Sequence, residues 1–216
     1  MDFQYFLKYV PHLAEASLPA MKAHAMMAPV ERLESIQSRI NSKVAPRTAA
    51  VLMLFYPKNE QTHLVLIVRN TYKGVHSAQV AFPGGKYEDT DLDYAYTALR
   101  ETQEEVGVNP EVVEFIKPFT PMYIPPSNFI VHPFLALVKE EIHFVPDPTE
   151  VAHIIELPLA VFLDESIVVE ARLSTSYAEE MIVPAFNIEN NIVWGATAMM
   201  LSELKEVLKS VFGSAM

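Results

Sequence analysis

The hydrophobic and polar positions of the chain change their spacing several times, and these changes divide it into predicted elements. Apolar runs at 49–57 and 62–70 are too short to be isolated helices, and the polar stretch 57–61 lies between them. They are therefore predicted to be two paired strands joined by a turn. Further apolar runs bounded by Pro, Asn or Asp predict strands and loops at 112–116, 129–138 and 151–159.

Between residues 91 and 106 the apolar residues recur at spacings of three and four, which predicts a helix. The residues expected on its apolar face are Ala95, Leu99, Thr102 and Val106. Those expected on the opposite side are Arg100, Glu101, Glu104 and Glu105. Gly107 follows directly and is expected to end the helix as a C-cap glycine.

Helices are also predicted at both ends of the chain. The apolar positions of 195–212 lie near the 3.6-residue spacing of a helix. Residues 1 to about 45 are rich in Met and Ala and include a predicted amphipathic helix over 28–40, with Pro46 breaking the pattern. We expect an α/β chain with a mixed sheet, divided into an N-terminal helical arm (1–45) and a main domain (46–216). The arm would either lie over a site or form a dimer contact.

Composition limits the possible partners. Half of the 216 residues are hydrophobic, and the formal net charge of −11 argues against nucleic acid or an anionic membrane as the main partner. A phosphate-bearing substrate would be repelled unless metal ions bridged it to the protein. The chain has no cysteine, which excludes disulfides and thiolate zinc sites. No signal peptide and no apolar run of roughly 20 residues is found, so a soluble cytoplasmic protein is expected.

Three carboxylates crowd one surface of the predicted central helix. They are Glu101, Glu104 and Glu105, at positions i, i+3 and i+4 of the helix. Like charges at these spacings destabilise an isolated helix by roughly 0.2–0.5 kcal/mol per pair. Carboxylate oxygens are ligands that Mg²⁺ and Mn²⁺ prefer, and Arg100 can pair with Glu104 one turn later. The preceding Gly84–Gly85 pair allows close approach of the backbone to a phosphate. Together these features predict metal-assisted attack of water on a phosphoanhydride. A solvated acidic helix face is the alternative interpretation.

The stretch from Gly85 to Val108 resembles the Nudix box, which is written as Gly, five residues, Glu, seven residues, Arg-Glu, an apolar residue, any residue, Glu-Glu, any residue, Gly and an apolar residue. Residues 100–108 match its second half, except that Thr102 takes the apolar position. Fourteen residues separate Gly85 from Arg100, one more than the consensus. The residues that could stand in for the box glutamate are Glu88, Asp91 and Asp93.

The residues before the box resemble the signature of the coenzyme A diphosphatase branch of Nudix hydrolases, in which an Arg, a His and Gly-Gln-Val-x-Phe-Pro-Gly-Gly precede it. The matching residues are Arg69, His76, Gln79, Val80, Phe82, Pro83, Gly84 and Gly85. Ala78 replaces the first glycine of the signature. Looser similarity at 23–32, 150–159 and 194–201 extends the resemblance over most of the chain.

The resemblance implies a Nudix-type α/β/α sandwich, with the box helix and the C-terminal helix on different faces of a mixed central sheet. It implies hydrolysis of the pyrophosphate of coenzyme A, or of a close derivative, to 4′-phosphopantetheine and 3′,5′-ADP. Mg²⁺ or Mn²⁺ would be held by Glu101 and Glu105, with Glu104 contributing directly or through water, and Arg100 would orient these carboxylates. The residues that would contact the substrate are Arg69, His76, Gln79, Gly84 and Gly85.

Several alternatives remain open at this point. The substrate could be ADP-ribose, NADH or a nucleoside triphosphate, and the chain could instead be a non-catalytic nucleotide-binding module. The preferred form of coenzyme A, the number and identity of the metals, and a homodimer are also open. The general base could be Glu101, Glu105 or Glu150, or a metal-activated water could need none.

Several of the named residues also have ordinary structural interpretations. For the substrate contacts these are Arg69 as a strand cap, His76 as a surface histidine and Gln79 as a solvent-facing strand residue. Three others are expected to be structural: Trp194, the sole tryptophan, in the core rather than as a base-stacking platform, Glu150 in a surface turn, and His24 as a packing residue.

Overall fold

The computed structural model describes residues 1–29, 45–70, 79–175 and 178–213, without the side chains of 174–180. Most of the predicted amphipathic helix at 28–40 lies outside these ranges. His76, one of the predicted substrate contacts, also lies outside them. Both therefore stay predictions.

The described ranges contain eleven strands and six α-helices. The strands are β1 (Arg47–Lys58), β2 (Gln61–Arg69), β3 (Val80–Ala81), β4 (Gly84–Lys86), β5 (Glu114–Pro118), β6 (Met122–Ile124), β7 (Phe129–Leu137), β8 (Val151–Pro158), β9 (Val168–Thr175), β10 (Ala178–Ile188) and β11 (Asn191–Val193). The α-helices are α1 (Phe3–Leu7), α2 (Val10–Glu15), α3 (Met21–Met26), α4 (Tyr94–Val106), α5 (Leu159–Leu163) and α6 (Gly195–Gly213). Both helices predicted beyond residue 46 are present, as α4 and α6.

Strands β1 to β8 form one mixed sheet with β1 at its centre. β1 pairs in parallel with β7 and antiparallel with β2, and its first residues also pair antiparallel with β4. β3 and β8 extend the sheet from β2, while β5 and β6 pair with β7, all antiparallel. The mixed sheet predicted from the sequence is confirmed. The pairing with β4 places the Gly84–Gly85 loop against the beginning of β1.

The predicted turn between the first two apolar runs is a tight hairpin. Lys58 of β1 pairs with Gln61 of β2. Asn59 and Glu60 between them have φ of 48° and 62°, the left-handed conformation that two-residue hairpin turns use. The hairpin prediction is confirmed, and the turn fixes which face of the sheet each side chain of β1 and β2 enters.

Alternate residues of β1 enter separate hydrophobic clusters on the two faces of the sheet. On one face, Leu54 belongs to a cluster with Ala98 and Val106 of α4. On the other face, Phe55 belongs to a cluster with Leu204 of α6. The sheet therefore lies between helices, as an α/β/α sandwich requires, and α4 and α6 lie on its opposite faces.

The first 29 residues pack against the same core as the C-terminal helix. Phe3, Phe6 and Leu13 are buried in the cluster that contains α6. His24 is also buried, as expected of a packing residue, and its Nε2 lies 3.1 Å from Oε2 of the buried Glu203 on α6. The division of the chain at residue 45 stays a prediction.

Strands β9, β10 and β11 form a second, antiparallel sheet that the sequence did not predict. Residues 189 and 190 form the turn between β10 and β11, with φ of 49° and 63°. β11 leads through Trp194 directly into α6. None of the helices in the described ranges is long and apolar enough to cross a membrane.

Candidate active site

Helix α4 carries the acidic cluster and has well-formed ends. Asp93 Oδ1 accepts a hydrogen bond from the Tyr96 backbone N–H at 2.7 Å, and Gly107 adopts the left-handed φ of 75° predicted for a C-cap glycine. The prediction that all the charged residues lie on the outer side is wrong for Glu105. Glu105 is buried on the inner side of the helix together with Thr102, because its carboxylate has polar partners there.

The Glu105 carboxylate lies against the loop that precedes the helix. Its side chain is 1% exposed, and Oε2 accepts a hydrogen bond from the Gly84 N–H at 2.8 Å. Oε1 lies 3.2 Å from Arg69 Nη2 but accepts no hydrogen bond from any described residue. Burial raises the pKa of Glu105 to about 7, while the Arg69 charge and the Gly84 N–H act in the opposite direction.

Arg69 connects the upstream motif with the acidic helix. It is the last residue of β2, and its Nη2 donates a hydrogen bond to the Gly84 carbonyl oxygen at 2.7 Å. The same nitrogen forms the ion pair with Glu105. Arg69 thus connects the glycine loop and the buried Glu105 to the end of β2. These contacts go beyond those of a residue that only caps a strand. Its contact with substrate stays a prediction.

Close neighbours leave no room for a side chain at either glycine of the loop. A Cβ atom on Gly85 would overlap the Glu101 carboxylate, and one on Gly84, where φ is 148°, would overlap the Ala50 carbonyl oxygen. The sequence predicted close approach of these glycines to a phosphate. In the structure they approach a carboxylate on one side and strand β1 on the other.

Arg100 organises the remaining charges of the site. Its Nε and Nη2 donate to the two oxygens of Asp91 at 2.8 and 3.0 Å. Its Nη1 lies 3.0 Å from Oε1 of Glu101 and 3.0 Å from Oε2 of Glu104, so the predicted pairing with Glu104 is confirmed. Burial raises the pKa of Glu101, and the Arg100 charge opposes this shift.

Among the three candidates for the counterpart of the box glutamate that the sequence left open, Asp91 is the one that accepts hydrogen bonds from Arg100. Its carboxylate is buried, and besides Arg100 it accepts hydrogen bonds from the Glu88 N–H at 3.0 Å and from Thr97 Oγ1 at 2.8 Å. The hydrogen bond from Arg100 is the main reason that the pKa of Asp91 is lowered. Five residues separate Gly85 from Asp91, as in the consensus. The additional residue therefore lies between Asp91 and Arg100.

This arrangement of a glycine loop, a buried acid pairing with an arginine, and glutamates on one helix is accompanied by a family match. The protein-family model of the NUDIX domain matches residues 46–173, which is more than half of the chain. The chain belongs to the NUDIX domain family.

Relatives within the Nudix hydrolases match over most of the chain. An uncharacterized Nudix hydrolase, NudL, from an Enterobacter species is 30% identical over 175 residues, covering 81% of this chain and 90% of the relative. A NudL protein from Yersinia pestis is 33% identical over 160 residues, covering 74% and 79%. Nudix hydrolase 15, mitochondrial, from Arabidopsis thaliana is 30% identical over 174 residues, covering 76% of this chain and 59% of the plant protein.

Two solved structures share the Nudix fold at low sequence identity. The Nudix hydrolase RenU from M. smegmatis has a TM-score of 0.54 at 16% identity, covering 77% of this chain and 88% of that one. A MutT/nudix family protein from Enterococcus faecalis has a TM-score of 0.52 at 17% identity, covering 84% and 74%. The α/β Nudix fold predicted from the sequence is confirmed.

Nudix hydrolases generally require divalent metal ions, and the carboxylates of this Nudix box fit such an ion. Within the described residues, no group of three or more acidic or histidine side chains is placed to hold a metal ion, and Arg100 Nη1 contacts both Glu101 and Glu104. The Glu105 oxygen without a hydrogen bond is the observation that favours a cation. The missing Cβ of Gly85 also makes room for the Glu101 carboxylate, an oxygen ligand of the kind that Mg²⁺ prefers.

The loop at 145–150 lies at the end of the box helix. The backbone N–H groups of Val145 and Asp147 donate to the carbonyl oxygens of Val106 and Glu105, both at 3.0 Å. Glu150 is exposed, as expected for a surface turn, yet its charge contributes to the raised pKa of both Glu101 and Glu105. It therefore lies close enough to act on the site, and the identity of the general base stays open.

A cavity of about 660 Å³ opens beside the glycine loop of this Nudix site. Arg69, Gln79 and Lys86 line it together with both loop glycines. Its other walls come from the second sheet, the start of α6 and the 3-10 turn before β7. They include Trp194, which packs beside the small cluster of Met181 and Val183 and lines the cavity as well. The sequence did not indicate Lys86 or apolar wall residues such as Phe129, Met181 and Met200 as parts of a site, because nothing in their local pattern marks them.

Gly85→Ala tests the close approach between the loop and Glu101. The new methyl group would displace the Glu101 carboxylate, and misplacement by about 1 Å can lower activity by roughly 100-fold. We expect kcat/KM to fall by about 10- to 100-fold while the protein stays folded by circular dichroism. Gly213→Ala is the matched control, because a Cβ there meets no atom within 4 Å. Equal activity of the two variants would contradict the assigned contact.

Glu105 also couples the stability of the metal-free protein to pH. Its pKa rises from an ordinary 4.5 to about 7 on folding, so folding favours the protonated form. This contribution to stability is complete below about pH 4.5 and is lost as the pH rises through about 7. In chelator, we expect the free energy of unfolding from urea titrations to decrease by roughly 2–3 kcal/mol between about pH 5 and 8 on account of Glu105. Glu105→Gln should remove this decrease, and identical pH profiles for both proteins would contradict it.

Proposed function

We propose that this Nudix hydrolase cleaves the pyrophosphate bond of coenzyme A or a close derivative, releasing 4′-phosphopantetheine and 3′,5′-ADP. The observation that carries the proposal is the position of Arg69. This residue belongs to the upstream motif that resembles the coenzyme A diphosphatase signature, and it touches both Gly84 and the box residue Glu105. The motif that indicates the substrate and the motif that indicates the chemistry therefore meet at one site.

The charges around the loop suit a diphosphate despite the acidic chain. The net charge is −11, but the described residues that line the cavity include the cations Arg69 and Lys86 and no carboxylate. The carboxylates of Glu101 and Glu105 are instead on the helix beneath the loop. A diphosphate placed over the loop would thus meet cationic side chains from the cavity and a cation held by the glutamates.

The roles of the box residues follow from their contacts. Glu101 and Glu105 would hold Mg²⁺ or Mn²⁺, with Glu104 contributing directly or through water. When bound, the ion supplies Lewis-acid stabilisation of the developing phosphate charge and activates water. Arg100, fixed by Asp91, sets the orientation of Glu101 and Glu104, while the Gly84 N–H and Arg69 hold Glu105.

Two other functions compete with this proposal. A Nudix pyrophosphatase acting on ADP-ribose, NADH or a nucleoside triphosphate would use the same box residues with a different upstream contact set. A non-catalytic nucleotide-binding module would not need the buried carboxylate of Glu105. The Glu105 side chain is 1% exposed and its pKa is raised, so the charged carboxylate disfavours folding at neutral pH. Binding of a metal ion would offset this cost.

The test is product analysis of the purified protein with coenzyme A, ADP-ribose, NADH and dATP, each with Mg²⁺, Mn²⁺ or chelator. We expect metal-dependent release of 3′,5′-ADP from coenzyme A at a kcat/KM well above that for the other compounds. Preferential turnover of another compound would keep the Nudix chemistry and reject the substrate. Binding of a nucleotide without turnover under any condition would favour the binding module.

A further inference from the structure

The loop at 145–150 contacts the box helix and the end of β2 at the same time. Two of its backbone N–H groups bind carbonyl oxygens in the last turn of α4. On its other side, the Asn70 N–H donates to the Glu150 carbonyl oxygen at 2.8 Å, and Asn70 Nδ2 donates to the Pro148 carbonyl oxygen at 2.7 Å. Asn70 directly follows Arg69, so the loop is joined to the strand end that binds the site.

These contacts form a closed circuit around Glu105. The Glu105 carboxylate lies 3.2 Å from Nη2 of Arg69. The next residue, Asn70, is joined to the turn at 147–150, and the Asp147 N–H of that turn donates to the Glu105 carbonyl oxygen at 3.0 Å. Glu105 is therefore held at its carboxylate through Arg69 and at its backbone through Asn70 and the turn.

The turn at 147–150 is stabilised by its own hydrogen bonds. Asp147 Oδ1 accepts hydrogen bonds from the N–H and from Oγ1 of Thr149, both at 2.7 Å. The Asp147 carbonyl oxygen accepts a hydrogen bond from the Glu150 N–H at 3.2 Å and another from the Val151 N–H at 2.9 Å. Because the turn is cross-linked in this way, a group that holds one side of it also positions the other side.

The pairing of β2 with β8 is irregular where the turn enters β8. Val68 lies opposite His153, but Arg69 lies opposite Val151, which leaves Ala152 as an extra residue in β8. Such bulges bend a strand and change the direction of its side chains, and they are frequent next to active sites. The bulge thus brings the start of β8 and the turn toward the strand end that carries Arg69.

We propose that Asn70 is a positioning residue of the Nudix site: its side-chain amide holds the 147–150 turn, and the turn fixes the backbone of Glu105 and the place of Glu150. This role rests on the proposed hydrolase activity at the site. Asn70 is not among the residues matched to the Nudix box or to the coenzyme A diphosphatase signature, and it acts through the turn.

The position of the turn matters to the carboxylates because the turn carries a negative charge. The charge of Glu150 contributes to the raised pKa of both Glu101 and Glu105. Displacement of the turn would therefore change the electrostatic field at both glutamates and also release the backbone of Glu105. Misplacement of site groups by about 1 Å can lower activity by roughly 100-fold.

Two substitutions test the side-chain hydrogen bond in metal-free protein. Asn70→Ala removes it, and Asn70→Asp keeps the size of the side chain but removes the donor. Asn191→Ala is the matched control, because Asn191 Nδ2 donates to the Glu189 carbonyl oxygen at 3.1 Å in a turn of the second sheet. In chelator, we expect hydrogen exchange of the Asp147 N–H, measured by NMR, to become about 3- to 10-fold faster in both Asn70 variants and to stay unchanged in the control. Equal exchange in all of these proteins would overturn the proposal.

Kinetics and metal binding separate positioning from a general loss of stability. With Mg²⁺ and coenzyme A, we expect kcat of Asn70→Ala to fall about tenfold with KM unchanged, because Asn70 does not line the cavity. The Kd for Mn²⁺ should rise by about fivefold, less than the roughly 10- to 100-fold typical of groups that touch a metal ligand directly. Asn191→Ala should match the wild type. A rise in KM alone, or equal losses of kcat in the two alanine variants, would overturn the proposal.

Failure of the proposed function gives a different set of results. If the wild-type protein cleaves none of the compounds, but Asn70→Ala accelerates exchange at Asp147 and weakens Mn²⁺ binding, the hydrolase activity is rejected and the positioning role is supported. If the wild-type protein cleaves coenzyme A, and both Asn70 variants leave exchange, Mn²⁺ binding and kcat unchanged, the positioning role alone is rejected.

Discussion

Glu105→Gln is expected to lower kcat/KM by about 1,000-fold at saturating Mg²⁺, because loss of a carboxylate that we propose as a metal ligand would remove several kcal/mol of transition-state stabilisation. The substitution keeps the shape of the side chain and an oxygen that can accept the hydrogen bond from the Gly84 N–H. The fold should therefore be retained while the charge is lost. Steady-state kinetics and Mn²⁺ binding by calorimetry measure the two consequences independently.

Other glutamates supply the comparison. The Glu104 side chain is 58% exposed and is paired only with Arg100 among the described residues, so Glu104→Gln should lower activity by no more than about tenfold. Glu111→Gln, on an exposed residue outside the site, should have no effect. If Glu105→Gln kept nearly full activity, Glu105 would not be a metal ligand. If Glu104→Gln lowered kcat/KM as much as Glu105→Gln, the burial of a glutamate would not predict its contribution to activity.

Asp91→Asn is expected to have the second largest effect, on both activity and stability. Asp91 holds the two donors of Arg100 at 2.8 and 3.0 Å, and Arg100 in turn contacts Glu101 and Glu104. Without this anchor the carboxylates of Glu101 and Glu104, which we propose as metal ligands, would lose their common orientation, and kcat/KM should fall by about 100-fold or more. The free energy of unfolding should fall by about 2–3 kcal/mol, less than for a fully buried ion pair because the Arg100 side chain is 18% exposed.

Asp93 and Glu88, two other acidic residues of the loop, are controls within the same stretch. Asp93→Asn keeps an N-cap residue of nearly equal preference, so stability should change by less than about 0.5 kcal/mol. Glu88→Gln alters an exposed side chain and should leave kcat/KM unchanged. Urea denaturation and kinetics of the three variants would therefore rank Asp91 first. A larger loss in the Asp93 or Glu88 variant would show that the box glutamate has been assigned to the wrong residue.

The sequence predicted the elements whose pattern is local. The β1–β2 hairpin follows from two apolar runs and a polar turn. Helix α4 follows from its spacing and from Gly107 at its end, although Asp93 starts it later than the spacing indicates. The pairing of Arg100 with Glu104 is also local, since the two residues are one turn apart. Each of these features depends on residues that are neighbours in the chain.

The burial of Glu105 could not be predicted in this way. Its partners, Gly84 and Arg69, lie 21 and 36 positions earlier in the chain, so the helix pattern alone assigns it to the polar side. The choice among Glu88, Asp91 and Asp93 likewise depends on which carboxylate reaches Arg100 in space. The apolar cavity is less predictable still, because its walls come from several distant parts of the chain, including the second sheet.

The contacts that close the core have a consequence for how the chain folds. β1 pairs in parallel with β7, so that Arg47 lies opposite Phe129, and His24 reaches Glu203 across 179 positions of sequence. Contacts between such distant segments form late and slow folding. During synthesis, the face of β1 that packs in the same cluster as α6 lacks this cover until α6 has left the ribosome, and we expect the nascent chain to need protection from aggregation until then.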